Sequence, residues 1–210
     1  MHSLWLGPPF RHGPAVLAVG TDRVVVGDTF GDMKGPAMVA FPLKAPALGP
    51  ETADGRSYGR AMVNVLLVHH SPSAATAQIA EAAESGLRMP ELGDIDVTIR
   101  PALEASVEDV LAADAYVLGT TANFGYISGA LKHFFDTTYD AVREPTAGRP
   151  FSYWIHGGYD TTGAETAMKQ ITTGLGWKLV FDPLIFTGEV TEEHLEKATE
   201  LAATVAATPS

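Results

Sequence analysis

Residues 63–210 predict a doubly wound α/β domain, and three observations carry that expectation. Strand-like and helix-like patterns alternate five times along this stretch, as they do in parallel sheets with helices on both faces. The first strand pattern is almost continuously apolar, which suits a strand buried on both faces. Ser/Thr-rich or Gly-rich segments follow the first, third and fourth strands, where an open α/β sheet binds its ligands.

The first strand is expected over residues 63–68, where Val63, Val65, Leu66, Leu67 and Val68 leave only Asn64 polar. A helix follows from about Ala75, with Ile79, Ala83 and Leu87 recurring every four residues toward the sheet. The second strand, residues 94–99, alternates strictly. Ile95, Val97 and Ile99 share one face, which predicts an edge position covered on one side. Ser106, with Asp109 three residues on, reads as the N-cap of a short helix.

The third strand is expected over 114–118. The helix after it buries Ile127, Leu131, Phe134, Phe135 and Thr138. The fourth strand covers 151–155, and its helix runs through Ala167 and Ile171. The fifth strand spans 177–186 and is interrupted at Asp182 and Pro183. A last helix starts at Thr191, with Glu193 and His194 in its first turn, and runs to about Ala206.

Composition divides the chain near Met62. The first 61 residues carry 6 Lys+Arg, 5 Asp+Glu and 7 of the 14 prolines, whereas residues 62–210 carry 8 Lys+Arg against 20 Asp+Glu. Prolines at 36, 42, 46 and 50 exclude a long helix or central strand there. Residues 15–19 and 24–26, around Thr21 and Asp22, are expected to pair as a weak hairpin. The rest of the segment reads either as a docking or dimerising extension or as a poorly ordered leader, with Met62 as the natural start.

The 210-residue chain has no cysteine, which excludes disulfides, thiolate catalysis and Cys-ligated metals. Its formal net charge of -11 and lack of a basic cluster argue against nucleic acid as a partner. No apolar run approaches the roughly 20 residues that span a bilayer, and residues 1–4 lack a signal-peptide layout. The expected protein is soluble and cytoplasmic, and a homo-oligomer is possible. His69 and His70 are neighbours that point to opposite faces of a strand, and no metal-binding His spacing occurs, so no metal is expected.

Three segments hold the candidate site. The first runs from His69 to Thr76. The hydroxyls of Ser71, Ser73 and Thr76 and the free amides of a helix start, including those of Ala74 and Ala75, suit one anion. No Lys or Arg lies between Val63 and Leu87, so a phosphate would rest on amides, hydroxyls and the helix dipole. Ordinary capping by Ser73 or Thr76 is the competing reading. The segment matches neither G-x-G-x-x-G nor the P-loop pattern.

The second segment, Gly119 to Gly129, is expected as a long loop. It carries Thr120, Thr121, Ala122, Asn123, Phe124, Gly125 and Tyr126. Its glycines admit a flat ring close to the backbone, and Phe124 or Tyr126 can stack on it, unless Phe124 is a core aromatic. The third segment, expected as a loop from His156 to Gly163, offers the amides of Gly157 and Gly158 and the ring of Tyr159. Asp160 serves either this site or the cap of the next helix.

These residues resemble a known family. The chain from Val63 onward is similar to the flavodoxin-like flavoproteins, in particular the NAD(P)H-dependent FMN reductase and quinone reductase branch. Ser71 to Thr76 resembles that family's phosphate loop, with Ala74 and Ala75 where Gly and Asn often stand. Residues 120–136 resemble the segment that wraps the isoalloxazine ring and leads into the third helix. Gly157, Gly158 and Tyr159 resemble the loop that closes on the ring's other edge. The resemblance implies a five-stranded sheet of order 2-1-3-4-5, FMN as cofactor and NAD(P)H as co-substrate.

Two functions follow as expectations. One is an oxidoreductase passing electrons from NAD(P)H to a quinone or similar small acceptor. The other is a flavodoxin-type electron carrier that docks on a redox partner protein. Hydride transfer needs no side-chain acid or base, so no catalytic residue is assigned. A hydrolase is disfavoured: Ser128 sits in a near miss to G-x-S-x-G, with Tyr126 in the place of the first glycine.

Overall fold

Short apolar strands separated by capped helices leave this chain little choice but a layered sheet, and the computed structural model has that form. It describes residues 16–20, 23–27 and 62–208. Two units are distinct, Met1–Ser57 and Tyr58–Ser210. In the first, β1 (Val16–Gly20) and β2 (Arg23–Gly27) pair antiparallel, with Val16 opposite Gly27. The other residues before Met62, on which the expectation of a poorly ordered extension falls, lie outside the described residues.

The second unit is built on β3 (Val63–His69), β4 (Ile95–Pro101), β5 (Ala115–Asn123), β7 (Pro150–Gly157) and a divided fifth strand. The two parts of that strand are β8 (Lys178–Leu179) and β9 (Leu184–Thr187). Both pair parallel with β7, and Asp182 and Pro183 lie in the break. All these pairings are parallel, and the order β4-β3-β5-β7 followed by β8 and β9 is the 2-1-3-4-5 arrangement. A two-residue antiparallel strand, β6 (Tyr126–Ile127), folds back on the end of β5.

Alternation along each strand divides the core. Leu66, Val68, Tyr116, Leu118, Tyr153 and Ile155 face one side. There they meet α2 (Val107–Ala112), α3 (Gly129–Val142) and α4 (Thr162–Gly174). Val65, Leu67, Val117 and Trp154 face the other side, against α1 (Ala74–Leu87) and α5 (Glu192–Ala207). Each fully buried Leu or Ile contributes about 1.5–3 kcal/mol. Ile95, Val97 and Ile99 of the edge strand β4 pack on the α1/α5 side only, as their alternation predicts.

Local caps define the helix starts. Ser73 and Thr76 form a reciprocal capping box, as do Ser106 and Asp109. Asp109 also pairs with Arg100 at 3.1 Å. Burial pushes the Asp109 carboxyl up, but the Ser106 N–H, the Arg100 guanidinium and the Ser106 hydroxyl outweigh it and hold it below the usual carboxylate range. At the opposite end of the sheet Arg149 joins distant segments. Its Nη1 reaches the carbonyls of Val110 and Leu111 and the Tyr116 hydroxyl at 2.9–3.1 Å, and also the Ala113 carbonyl. Burial raises the Tyr116 phenol, so it stays a neutral donor to the Val110 carbonyl.

Two expected loop boundaries are corrected. Residues 119–123 are strand and not loop: β5 runs on to Asn123 because β7 continues beside it, pairing Thr121 with His156 and Ala122 with Gly157. His156 and Gly157 likewise belong to β7. Gly119, Ala122 and Asn123 weaken a strand signal read locally, but a neighbouring strand supplies the missing hydrogen bonds.

Candidate functional site

The strands end at unequal heights. In the β3–β5 ladder His69 pairs with Gly119, and β4 stops opposite it at Pro101. β5 runs four residues further, to Asn123, and β7 accompanies it to Gly157. At about 3.3 Å per residue, this raises a wall on the order of 13 Å beside the end of β3. The chain leaves β3 for α1 on one face and β5 for α3 on the other. The step therefore coincides with the switch point of the sheet.

The segment after β3 forms the floor. His70 N–H donates to the Gly119 carbonyl at 2.9 Å, tying the segment to the wall. His69 Nδ1 lies 2.9 Å from Ser71 Oγ. Ser73 caps α1 and accepts from Thr76 N–H at 3.3 Å. Thr76 Oγ1 accepts from Ser73 N–H at 3.1 Å and donates to the Ser73 carbonyl at 3.0 Å. The competing reading of these two residues as caps is thus what their side chains do. Thr76 is 2% exposed and shapes the turn from beneath. The N–H groups of Ala74 and Ala75, both exposed, have no intrahelical acceptor. The first turn of α1 carries no acidic residue to occupy its positive end.

The wall ends in a tight hairpin. Ala122 pairs with Ile127 and Asn123 with Tyr126, so Phe124 and Gly125 alone make the turn. Both have positive φ, 51° and 77°, the combination of a type I′ turn. A bulky residue in the left-handed region is strained, and such strain persists where neighbours impose it. The Phe124 ring is fully exposed, which excludes the core reading of that residue. Asn123 and Tyr126 are exposed as well, and Ala122 is half-buried.

Below the hairpin, Thr120 and Ser128 are buried and bonded to each other. Ser128 N–H donates to Thr120 Oγ1 at 3.1 Å, and Leu131 N–H donates to Ser128 Oγ at 3.1 Å. This removes Ser128 as a nucleophile and makes Thr120 a structural clasp. Thr121 points to the other face. It is 8% exposed, and its hydroxyl has no hydrogen-bond partner among the described residues. A buried hydroxyl without a partner costs about 1–3 kcal/mol.

The third segment closes against the second. A Cβ on Gly163 would stand 2.0 Å from the Gly125 carbonyl oxygen, so only glycine lets the start of α4 meet the hairpin tip. A Cβ on Gly157 would meet Thr161 at 2.9 Å and Ala122 at 3.3 Å. Gly158 faces open space, and the Tyr159 ring beside it is fully exposed. Asp160 accepts from the Thr162 N–H and hydroxyl, at 3.0 and 2.7 Å, and these bonds hold its carboxyl below its ordinary range. Asp160 therefore serves the start of α4. His156 Nε2 lies 2.7 Å from the Gly188 carbonyl, and its ring packs on Phe186.

The structure brings most of the predicted site residues to one end of the sheet and divides their roles. Ser71, Ala74, Ala75, Asn123, Phe124, Gly125, Tyr126, Gly158 and Tyr159 present polar groups, open backbone or rings there. Ser73, Thr76, Thr120, Gly157 and His156 are tied into the framework. Sequence reasoning missed Gly163 and Ser128, whose roles depend on contacts across the fold, and the pairing of His69 with Ser71. Among the described residues no helix is long and apolar enough to cross a membrane.

Comparison with known proteins agrees with this geometry. The model of a family described as NADPH-dependent FMN reductase matches residues 53–207. A protein named flavodoxin from Aquifex aeolicus (strain VF5) is 35% identical over 114 residues, 54% of this chain. The chain spans 60% of the length of that relative. Two solved structures share the fold. A flavodoxin from Megasphaera elsdenii has a TM-score of 0.58 and 21% identity, over 69% of this chain and 99% of that one. A flavodoxin, WrbA-like protein from Agrobacterium tumefaciens has a TM-score of 0.57 and 21% identity, over 69% and 95%.

Proposed function

The chain belongs to the NADPH-dependent FMN reductase family, and from that premise we propose that it binds FMN at this step in the sheet and passes electrons from NAD(P)H to a quinone or similar small acceptor. The observation that carries the reading is the strained Phe124–Gly125 hairpin, held above open amides at the switch point. Three features support the fit of this group. The free amides of Ala74 and Ala75 at an acid-free helix start suit a phosphate. The unpartnered hydroxyl of Thr121 is a buried donor awaiting an acceptor. Exposed aromatic rings at Phe124, Tyr126 and Tyr159 suit a flat heterocycle.

In this reading Ser71 and the amides of Ala74 and Ala75 hold the phosphate, and Ser73 with Thr76 keeps their turn in shape. The backbone of Thr121, Ala122, Asn123 and Gly125 lines the ring edge, with Thr120 and Ser128 clasping the strand behind it. Gly157 and Gly158 let the third segment approach without bulk, and Tyr126 and Tyr159 border the exposed ring face. When bound, FMN accepts a hydride and delivers electrons singly or in pairs. The protein's part is to orient the ring, keep one face open, and aim amide dipoles where negative charge develops.

Titration of the FMN-free chain with FMN should quench flavin fluorescence saturably at micromolar concentration. Anaerobic mixing of the loaded protein with NADH or NADPH should then bleach the oxidised band within seconds. A second reading, an electron carrier docking on a redox protein, draws on the likeness to a flavodoxin and on the fully exposed Phe124 and Tyr159 rings. A flavin that dithionite reduces but neither nicotinamide does would decide for the carrier. No saturable quenching would reject both.

A further inference from the structure

A doubly charged phosphate needs compensating charge, and the floor of this site has little. Residues 63–87 contain no Lys or Arg. Arg100, at the carboxyl end of β4, is taken up by Asp109 at 3.1 Å. The titratable group attached to the floor is His69, whose Nδ1 lies 2.9 Å from Ser71 Oγ. Its ring is half-buried, 6.4 Å from that of Trp154. The charged or titratable groups that act on it are His70 beside it and Glu84 on α1.

Resting on the FMN reading above, we propose that His69 is the positioning residue of the phosphate subsite, taking up a proton as Ser71 turns its hydroxyl from the imidazole to a phosphate oxygen. The proton balance is simple. In the free protein the Ser71 hydroxyl donates to an unprotonated Nδ1, and the neutral ring carries its hydrogen on Nε2. When Ser71 donates to phosphate instead, its oxygen lone pair faces Nδ1, which must then carry a hydrogen. Solvent supplies that hydrogen rather than a shift from Nε2, which would leave the ring neutral, because the imidazolium so formed offsets the phosphate charge through Ser71. Burial, then His70, holds the ring below the ordinary histidine value of 6.5 in the free protein, so it starts neutral and has a proton to gain.

The affinity for FMN must then fall as pH rises through the raised value of the occupied site. Riboflavin, with no phosphate, should show neither the pH dependence nor the proton. Calorimetry of the full chain in buffers of different ionisation enthalpy, from about pH 7 to 8.5, keeps the phosphate almost wholly a dianion while reading proton uptake. FMN should take up a fraction of a proton and weaken about tenfold across that range, the equivalent of one pKa unit. His69→Gln supplies an amide donor to Ser71 without titrating. It should bind FMN within about threefold of the native chain at pH 8.5, with the uptake and slope abolished. His69→Ala should lose affinity for FMN and keep it for riboflavin, which also reports that the variant has folded. The His69 ring signals by NMR, with and without FMN, test the same point with no substitution. Unchanged proton uptake in His69→Gln, or an unmoved His69 titration on FMN binding, overturns the role of His69. Failure to bind either FMN or riboflavin overturns the site itself.

Discussion

Phe124 shows how one residue can oppose its own fold. Its φ of 51° is unfavourable for a side chain with a Cβ, and its exposed ring repays nothing through burial. Such unrecovered strain is consistent with the ligand-facing role proposed above for this turn. Phe124→Gly should therefore raise stability by about 0.5–1 kcal/mol in urea denaturation while weakening FMN several-fold. A loss of stability would mean that the ring has a packing role and that the turn is merely awkward. Some residue roles were legible in the sequence. Ser106 with Asp109 and Thr191 with His194 announced helix starts, and both pairs meet at about 3 Å. Asp160 was ambiguous between site and cap; its bonds to Thr162 fasten the start of α4 from the position before the N-cap, Thr161. No local pattern marks Thr121 as the hydroxyl with no partner among the described residues, because that depends on what the neighbouring strands offer it.

Among the elements, the β5–β6 hairpin and the start of α4 act as one piece. The carbonyl of Gly125 occupies the space a side chain at position 163 would need. Gly163→Ala should cost about 1–3 kcal/mol, since backbone and not a flexible side chain must move. It should also loosen FMN binding by displacing the hairpin tip. Gly158→Ala is the control: its Cβ meets open space and should change stability by less than about 0.5 kcal/mol. Thermal unfolding with and without FMN separates the two variants. Comparable losses in both would indicate that the third segment is generally intolerant of side chains. The five strands and five helices were readable because each carries its own periodicity. The hairpin was read as loop because its second strand is two residues long and exists only by pairing with β5.

At the scale of the molecule, each face of the sheet is closed by its own helices, α1 and α5 on one side and α2, α3 and α4 on the other. The break in charge and proline content falls just before the first strand of this domain. We propose that a truncated chain starting at Met62 unfolds cooperatively and binds FMN within about twofold of the full chain, measured by denaturation and by fluorescence titration. An insoluble truncated chain, or one that no longer retains FMN, would make the preceding segment part of the fold. The concentration of negative charge in residues 62–210 bears on solubility and association and not on the choice of fold.

By itself the sequence determined the alternation of strands and helices, the edge position of β4, the break at Asp182 and Pro183, the capped helix starts and the end of the sheet where the three candidate segments meet. All of these follow from hydrophobic period and hydrogen bonds within a few residues of one another. Only the tertiary structure decided that β5 and β7 outrun β3, that Phe124 is forced into the left-handed region, that Gly163 receives the hairpin tip and that Thr121 has no partner among the described residues. The reason is physical. Where a strand stops is set by the strand beside it, and whether a buried polar group is satisfied is set by residues dozens of positions away, so neither is written in the local pattern that a sequence displays.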